Sequence, residues 1–289
     1  MIATLAEATV CIVGLGLMGG SLAAALQAKG CCREVVGVAR RESTLVSARA
    51  RHYIARGYTN LADGVRTADI VILATPVCDI IAKIGELGAL VKPSCLVMDL
   101  GSTKHAVCAA LDRLPPHVEV LGGHPMCGKE SSGLEEAEPD LYLGKVFVLC
   151  PLSRTSEQAI SLGKQLVTAV GARPLVLQAD RHDTLVAAIS HLPYLLAVAL
   201  VNAAEVLAQD DALVWQLAAS GFRDTSRLAA SDVTMMLDIL LTNRAAILCS
   251  LERSQNQLTA LRSALLGEDR QTLFELMSAA HSRRKELNQ

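Results

Sequence analysis

The sequence predicts an α/β domain built on a parallel sheet, followed by an all-α domain. Three observations predict it. Short β-branched apolar runs alternate with helical segments over the first 178 residues, a glycine-rich turn joins the first run to the first helix, and strand-like runs stop after Gln178. The expected strands are Ala8–Val13, Val35–Ala39, Ile70–Ala74, Leu96–Leu100, Val118–Leu121 and Val146–Leu149. Helical segments lie between most of them, at Ser21–Ala28, Val77–Leu90 and Thr103–Leu114, and a last α/β unit runs from Ser156 to Leu177. Alternation of this kind implies parallel strands with helices on both faces.

From Asp180 onward the pattern is helical. Asp180 is expected to cap a long helix, with Asp183 adding favourable charge to its first turn. Apolar residues recur from Leu185 to Leu207, and further helical segments are expected at 212–219, 233–250, 254–265 and 270–286. The expected domains are 1–178 and 179–289. The helical half is apolar enough that a single copy would expose much of that surface, which implies a homodimer through this domain.

Composition narrows the function. The 289 residues carry 27 Lys and Arg against 29 Asp and Glu, a net charge of −2. No basic excess draws in nucleic acid. Hydrophobic residues make up 51% and charged residues 19%, which excludes a disordered chain. Aromatics are 3%, too few for a base-stacking platform. The nine cysteines are scattered with no C-x-x-C pair, and read as reduced thiols in a cytoplasmic protein. No signal peptide is recognisable at the N-terminus. Thr184–Ala204 lacks any charged residue over 21 positions, long enough to span a bilayer. It contains Ser190, His191, Pro193 and Asn202 and has no flanking aromatic belt, so a helix buried in a bundle is expected rather than a membrane span.

The first strand runs into Gly14-Leu15-Gly16-Leu17-Met18-Gly19, and a helix follows. G-x-G-x-x-G between strand and helix is the dinucleotide-binding fingerprint of a Rossmann-type domain: the glycines allow the tight turn, the approach of a pyrophosphate and close helix–strand packing. An NAD site places an acid about 20 residues further on, against the ribose 2′-hydroxyl. Here Val38-Ala39 is followed by Arg40 and Arg41. Guanidinium groups suit a 2′-phosphate, so NADP is expected, with NAD as the alternative.

Two histidines and a run of arginines mark the chemical end. His124 lies in Gly122-Gly123-His124-Pro125-Met126-Cys127-Gly128, just past an expected strand, where a general base would face the ligand crevice of a parallel sheet. His191 lies in Ser190-His191-Leu192-Pro193 and by itself reads as a core histidine, in a helix that Pro193 is expected to kink. Arg223 and Arg227 lie in Ser220-Gly221-Phe222-Arg223-Asp224-Thr225-Ser226-Arg227. In so apolar a half they call for a partner, either Asp224 or an anionic substrate.

Together, in this order, the glycine motif, Asp99-Leu100-Gly101-Ser102-Thr103-Lys104, GGHPMCG, SHLP and SGFRDTSR resemble the prephenate/arogenate dehydrogenase family of tyrosine biosynthesis, over nearly the whole chain. The resemblance implies a Rossmann domain followed by an interlocked helical dimerisation domain, and oxidative decarboxylation of a cyclohexadienyl acid. It makes His124 the catalytic base for the ring C4 hydroxyl and Ser102 a hydrogen-bond partner of that hydroxyl. It makes Arg227 the binder of the ring carboxylate and places His191 near the substrate. Glu130 matches an active-site acid of some members, Asp224 is assigned to orient the cluster, and Thr75-Pro76 matches the loop along the cofactor. Met236 stands where some prephenate-using members carry an aromatic residue. With Arg40 and Arg41 this resembles arogenate-preferring, NADP-using members, and prephenate stays open. Two rival readings are a β-hydroxyacid dehydrogenase and a non-catalytic NADP-binding sensor. The first needs a catalytic lysine on the helical domain, and no lysine occurs between Lys164 and Lys285.

Overall fold

The protein is represented by a computed structural model that describes residues 4–129 and 131–287. Eight strands form one sheet: β1 Thr9–Val13, β2 Glu34–Val38, β3 Arg56–Tyr58, β4 Ile70–Leu73, β5 Leu96–Asp99, β6 Glu119–Pro125, β7 Val146–Cys150 and β8 Arg173–Val176. Their order is β3-β2-β1-β4-β5-β6-β7-β8. Helices α1 Leu17–Lys29, α2 Glu42–Ala50, α3 Leu61–Val65, α4 Val77–Leu87, α5 His105–Leu111 and α6 Glu157–Ala169 lie between strands.

The side-chain period of two sorts the apolar residues onto two faces. Val10 and Ile12 of β1, Ile70 and Ile72 of β4 and Met98 of β5 join Leu22 and Leu26 of α1 and Leu162 and Leu166 of α6 in one core. The alternate residues Cys11, Val13, Val71, Leu73 and Val97 join Ile80, Ile84 and Leu87 of α4 and Val107 and Leu111 of α5 in the other. Helices therefore cover both faces, as the alternation predicts.

The sheet is not wholly parallel. β7 runs antiparallel to β6, pairing Gly122 with Cys150 and Pro125 with Phe147, while β8 is parallel to β7. An antiparallel partner needs no crossover. The described residues between β6 and β7 therefore stay at the carboxyl edge of β6, and residues 131–145 fold over α1, where the Tyr142 hydroxyl donates to the Met18 carbonyl at 2.6 Å and the Glu138 amide donates to Ser21 Oγ at 3.0 Å. β6 also extends four residues beyond the expected Leu121, which places His124 within the paired strand. β3 was not expected: three residues with no buried side chain leave no alternation to read.

The remaining helices are α7 Ala179–Val186, α8 Leu192–Ala208, α9 Leu213–Gln216, α10 Ser220–Ser226, α11 Val233–Thr242, α12 Arg244–Leu266 and α13 Arg270–Glu286. The chain divides into two compact units, one ending at Asn243 and the other beginning at Arg244, in which α12 and α13 pack together as a helical hairpin. The single helix expected over 233–250 breaks at Asn243, which leaves helical geometry at φ −116°, ψ 26°.

A π-helical turn, Ala187–His191, joins α7 to α8. Pro193 has no N–H for the Ile189 carbonyl, and the wider turn ahead of it accommodates that loss. Asp180 does not cap α7: Gln178 holds the N-cap position without a side-chain bond, and Asp180 lies inside the first turn. The expected burial of the charge-free helix is also incomplete in one chain. Tyr194 and Ala197 are buried, but Ile189 is 69% and Leu196 40% exposed. The continuous helical stretch Ala179–Ala208 is the one such element among the described residues that is long and apolar enough to cross a membrane.

Candidate active site

The carboxyl ends of β1, β4, β5 and β6 lie at one edge of the sheet, where doubly wound folds bind ligands. At the first of these, Gly14 turns the chain at φ +100°, a conformation that favours glycine, and its amide donates to the Val38 carbonyl at 2.9 Å. A Cβ on Gly19 would collide with the Gly14 carbonyl, so the third glycine lets α1 approach the turn. A Cβ on Gly16 would meet nothing within 4 Å, and Gly16 is the N-cap of α1. Leu15 and Leu17 turn their side chains into the core, leaving only main chain at the turn, and Met18 O is held by Tyr142.

Thr75 Oγ1, just past β4, is buried with no hydrogen-bond partner. Pro76 follows as the N-cap residue of α4. A buried orphan hydroxyl needs a partner. With the open Gly16 and the amide-rich start of α1, this donor set fits a dinucleotide. Arg40 and Arg41 follow β2, both exposed, with no ion pair or side-chain hydrogen bond among the described residues.

At the ends of β5 and β6 the polar groups converge. The Asp99 carboxylate accepts from the Gly101 amide at 2.7 Å and the Gly123 amide at 3.0 Å, and is paired with Lys104 Nζ. Both side chains of that ion pair are fully buried. One carboxylate thus fixes the residue before Ser102 and the residue before His124. Ser102 itself is half-buried. Its neighbour Thr103 meets Thr242 of α11, Oγ1 to Oγ1, at 2.9 Å. The Thr242 hydroxyl donates to the Asp238 carbonyl at 2.7 Å, so Thr103 is the donor between the two. Asp238 also accepts the Cys78 amide at 3.1 Å, fastening α11 to the start of α4.

His124 is linked in a file that runs away from this edge. Its Nδ1 lies 2.8 Å from His182 Nε2, with the rings edge to face at 5.0 Å. His182 Nδ1 lies 2.8 Å from Asp183 Oδ1. Asp183 does not supply the helix-start charge expected of it on α7. It faces inward and accepts the Lys104 amide at 2.7 Å and the His105 amide at 2.8 Å, capping α5. Burial alone would raise its pKa, but the bonds from His182 and from the His105 and Lys104 amides outweigh it and hold the carboxyl below its usual range.

An ionised carboxylate only accepts, so His182 carries its proton on Nδ1. In the neutral tautomer that this bond selects, His182 Nε2 is a lone pair, so His124 donates from Nδ1 and its Nε2 is left as an acceptor. Burial first, then the neighbouring His182, Lys104 and His191, push His124 well below the usual imidazole range, so it is neutral at physiological pH.

His191, at the end of the π turn, is buried and pushed down to about 4, by burial first. Asn243 Nδ2 donates to the Asp183 carbonyl at 2.8 Å and lies 3.2 Å from His191 Nδ1. The carbonyl fixes which end of the amide points inward, so His191 Nδ1 accepts and Nε2 carries the proton.

His124, His191 and the Ser102 loop are therefore brought to one edge. Asp224 and Arg227 enter on a separate segment: Asp224 lies in α10, Arg227 opens the 3-10 turn Arg227–Ala230 that packs on α8, and both are exposed. Glu130 lies outside the described residues. Met236 is buried against Tyr194 and Ile239. Among the described residues no group of three or more His, Cys, Asp or Glu is placed to hold a metal ion.

Sequence reasoning gave no role to His182, Asn243, Asp99 or Lys104. The adjacent His182-Asp183 pair was the available signal. His182 and His191 are nine residues apart, which puts them on opposite faces of an uninterrupted α-helix. The π turn between them changes that phase.

The chain is similar to known proteins over most of its length. Sequence models of the prephenate dehydrogenase nucleotide-binding domain and dimerization domain match residues 22–176 and 178–279. The prephenate dehydrogenase of Bacillus subtilis is 32% identical over 94% of this chain and 74% of its own length. A crystal structure of prephenate dehydrogenase from Aquifex aeolicus, in complex with hydroxyphenyl propionate and NAD+, superposes with a TM-score of 0.91 at 29% identity, over 96% of this chain and 98% of that one. Synechocystis arogenate dehydrogenase superposes with a TM-score of 0.83 at 29% identity, over 96% and 99%. A glycine turn at α1, a neutral imidazole at the end of β6 and these matches along almost the whole length lead to one conclusion: the chain belongs to the prephenate dehydrogenase family of nicotinamide-dependent, decarboxylating dehydrogenases.

Proposed function

We propose that this enzyme oxidatively decarboxylates arogenate, and prephenate less well, with NADP as the favoured cofactor, in tyrosine biosynthesis. The observation that carries the reading is the file Asp183–His182–His124, which leaves His124 Nε2 as an acceptor where β4, β5 and β6 end. When bound, the nicotinamide takes the hydride from ring C4 of the substrate. His124 Nε2 removes the proton of the C4 hydroxyl, and the Ser102 hydroxyl hydrogen-bonds that group. His191 Nε2–H donates to an acceptor of the substrate. Arg227 holds the ring carboxylate that departs as CO₂, Asp224 orients the arginine, and Glu130 is a further candidate contact.

The main chain of Gly14, Leu15, Gly16, Leu17, Met18 and Gly19 holds the pyrophosphate, with Thr75 and Pro76 along the cofactor. Arg40 and Arg41 take the 2′-phosphate. Two guanidiniums without partners among the described residues, just past β2 where an NAD site has an acid, support NADP. The same pattern and Met236 in place of an aromatic residue support arogenate. Residues 1–178 bind the cofactor, and residues 179–289 contribute substrate contacts and the homodimer interface. That interface covers apolar side chains such as Ile189 and Val206, and the matched dimerization domain supports it. The enzyme acts in the cytoplasm.

The test is steady-state kinetics with prephenate and arogenate, each with NAD and NADP. The reading expects the highest kcat/KM for arogenate with NADP. Higher kcat/KM for prephenate or for NAD overturns that preference, and no aromatic product from any combination overturns the whole reading.

A further inference from the structure

A base needs somewhere to keep the proton that it takes. His124 is ill suited to hold a positive charge: burial disfavours its charged form, it lies against the His182 ring, and it feels the Lys104 ammonium and His191. The next ring is better placed. His182 is buried, its Nε2 faces His124 at 2.8 Å, and its Nδ1 faces a carboxylate at 2.8 Å. That carboxylate is itself fixed by two amides of α5.

We propose that His182 is the proton store of the reaction. The step rests on the reading of His124 given above and balances as two coupled transfers. The substrate O–H bond breaks and an N–H bond forms at His124 Nε2. The His124 Nδ1–H bond breaks and an N–H bond forms at His182 Nε2. His124 ends neutral with its proton on Nε2, and His182 ends as an imidazolium facing the Asp183 carboxylate. No electrons change hands in the step. The return path reverses it: His182 gives the proton back to His124 Nδ1, and His124 Nε2 releases its own to solvent once product has left.

The geometry favours charge on the outer ring. A cation on His182 lies against an anion that is held ionised, whereas a cation on His124 lies one ring further from it. The titratable groups around His182 are His124 on β6, Asp183 and His191 on its own helical segment, and Lys104, just ahead of α5, with its partner Asp99 at the end of β5. Both ring nitrogens of His182 are taken up by His124 and Asp183, so it acts through His124 as a positioning and relay residue.

Two measurements test the proposal. In the full-length protein with 15N-labelled histidine, read near pH 7.5, His124 is expected with Nδ1 protonated and Nε2 bare; a resting His124 protonated on Nε2 overturns the relay, whatever the enzyme's substrate proves to be. The second is His182→Gln. A glutamine amide can accept from His124 Nδ1 and donate to Asp183, but it cannot take a proton. The expected result is a fall in kcat of about tenfold to a hundredfold, with KM within about threefold, and an acid limb of kcat moved to lower pH. Unchanged kcat and an unmoved acid limb overturn the proposal. Failure of the parent enzyme to turn over either acid sinks the functional reading but leaves the tautomer result standing on its own.

Discussion

Asn243 holds His191 by its side-chain amide at 3.2 Å, and with its other N–H holds the Asp183 carbonyl at 2.8 Å. The residue that ends α11 thus decides which nitrogen of a buried imidazole carries the proton. It also ties α7 to α11. One amide therefore couples the way the helical segments fold to the hydrogen-bond character of the site.

Asn243→Asp reverses that character. A carboxylate cannot donate, so the Asp183 carbonyl loses its partner and His191 Nδ1 faces an acceptor. Loss of a buried partner costs about 1–3 kcal/mol. The expected outcome is a stability loss of that size by urea denaturation, with a KM for the cyclohexadienyl acid raised about tenfold. A variant as stable as the parent with unchanged KM removes Asn243 from the site.

The Asp99–Lys104 pair is fully buried and clamps the Gly101 and Gly123 amides. Lys104→Met leaves Asp99 as an uncompensated buried charge, which costs about 3–5 kcal/mol. Chemical denaturation is expected to show that loss. The double variant Asp99→Leu/Lys104→Met recovers stability but not kcat, because the two amides no longer have the carboxylate that places Ser102 and His124. Full kcat in the double variant contradicts the clamp.

Acid stability follows from the buried rings. His191 folded titrates at about 4 and unfolded near 6.5. Between those values the unfolded chain binds the proton and the folded chain does not, so stability is full above about pH 6.5 and falls toward pH 4. This one ring accounts for about 3 kcal/mol of that loss. His191→Gln is expected to flatten the decline in Tm across this window. Asp183, held below its usual value, adds its own loss only at lower pH.

Cofactor choice is tested at β2. The Arg40→Ala/Arg41→Ala variant is expected to lower kcat/KM for NADP by about tenfold to a hundredfold, on the scale of a charge-assisted contact or two, and to leave NAD turnover within about twofold. Equal loss with both cofactors contradicts the assignment.

Much of this was legible in the sequence because it rests on local rules. The glycine turn, the apolar strands and the placement of His124 at a sheet edge depend on short-range spacing. Three features were not legible. The reversal of β7 depends on where residues 126–145 lie, and nothing in Val146–Cys150 itself encodes direction. The π turn at Ala187–His191 shifts the helical phase that a regular repeat assumes. The roles of Asp183 and Asn243 arise largely from partners more than 50 positions away, Asp183 with the amides at the start of α5 and Asn243 with Asp183 and His191. A residue that reads as helix-start charge can instead cap a distant helix once the chain has folded.

The central claim is that His124 Nε2 takes the substrate proton. His124→Asn tests it most directly, with kcat and NADP affinity measured on the same protein. The account predicts a fall in kcat of about 10²–10⁴ with the Kd for NADP within about threefold. Turnover equal to that of the parent enzyme would contradict it.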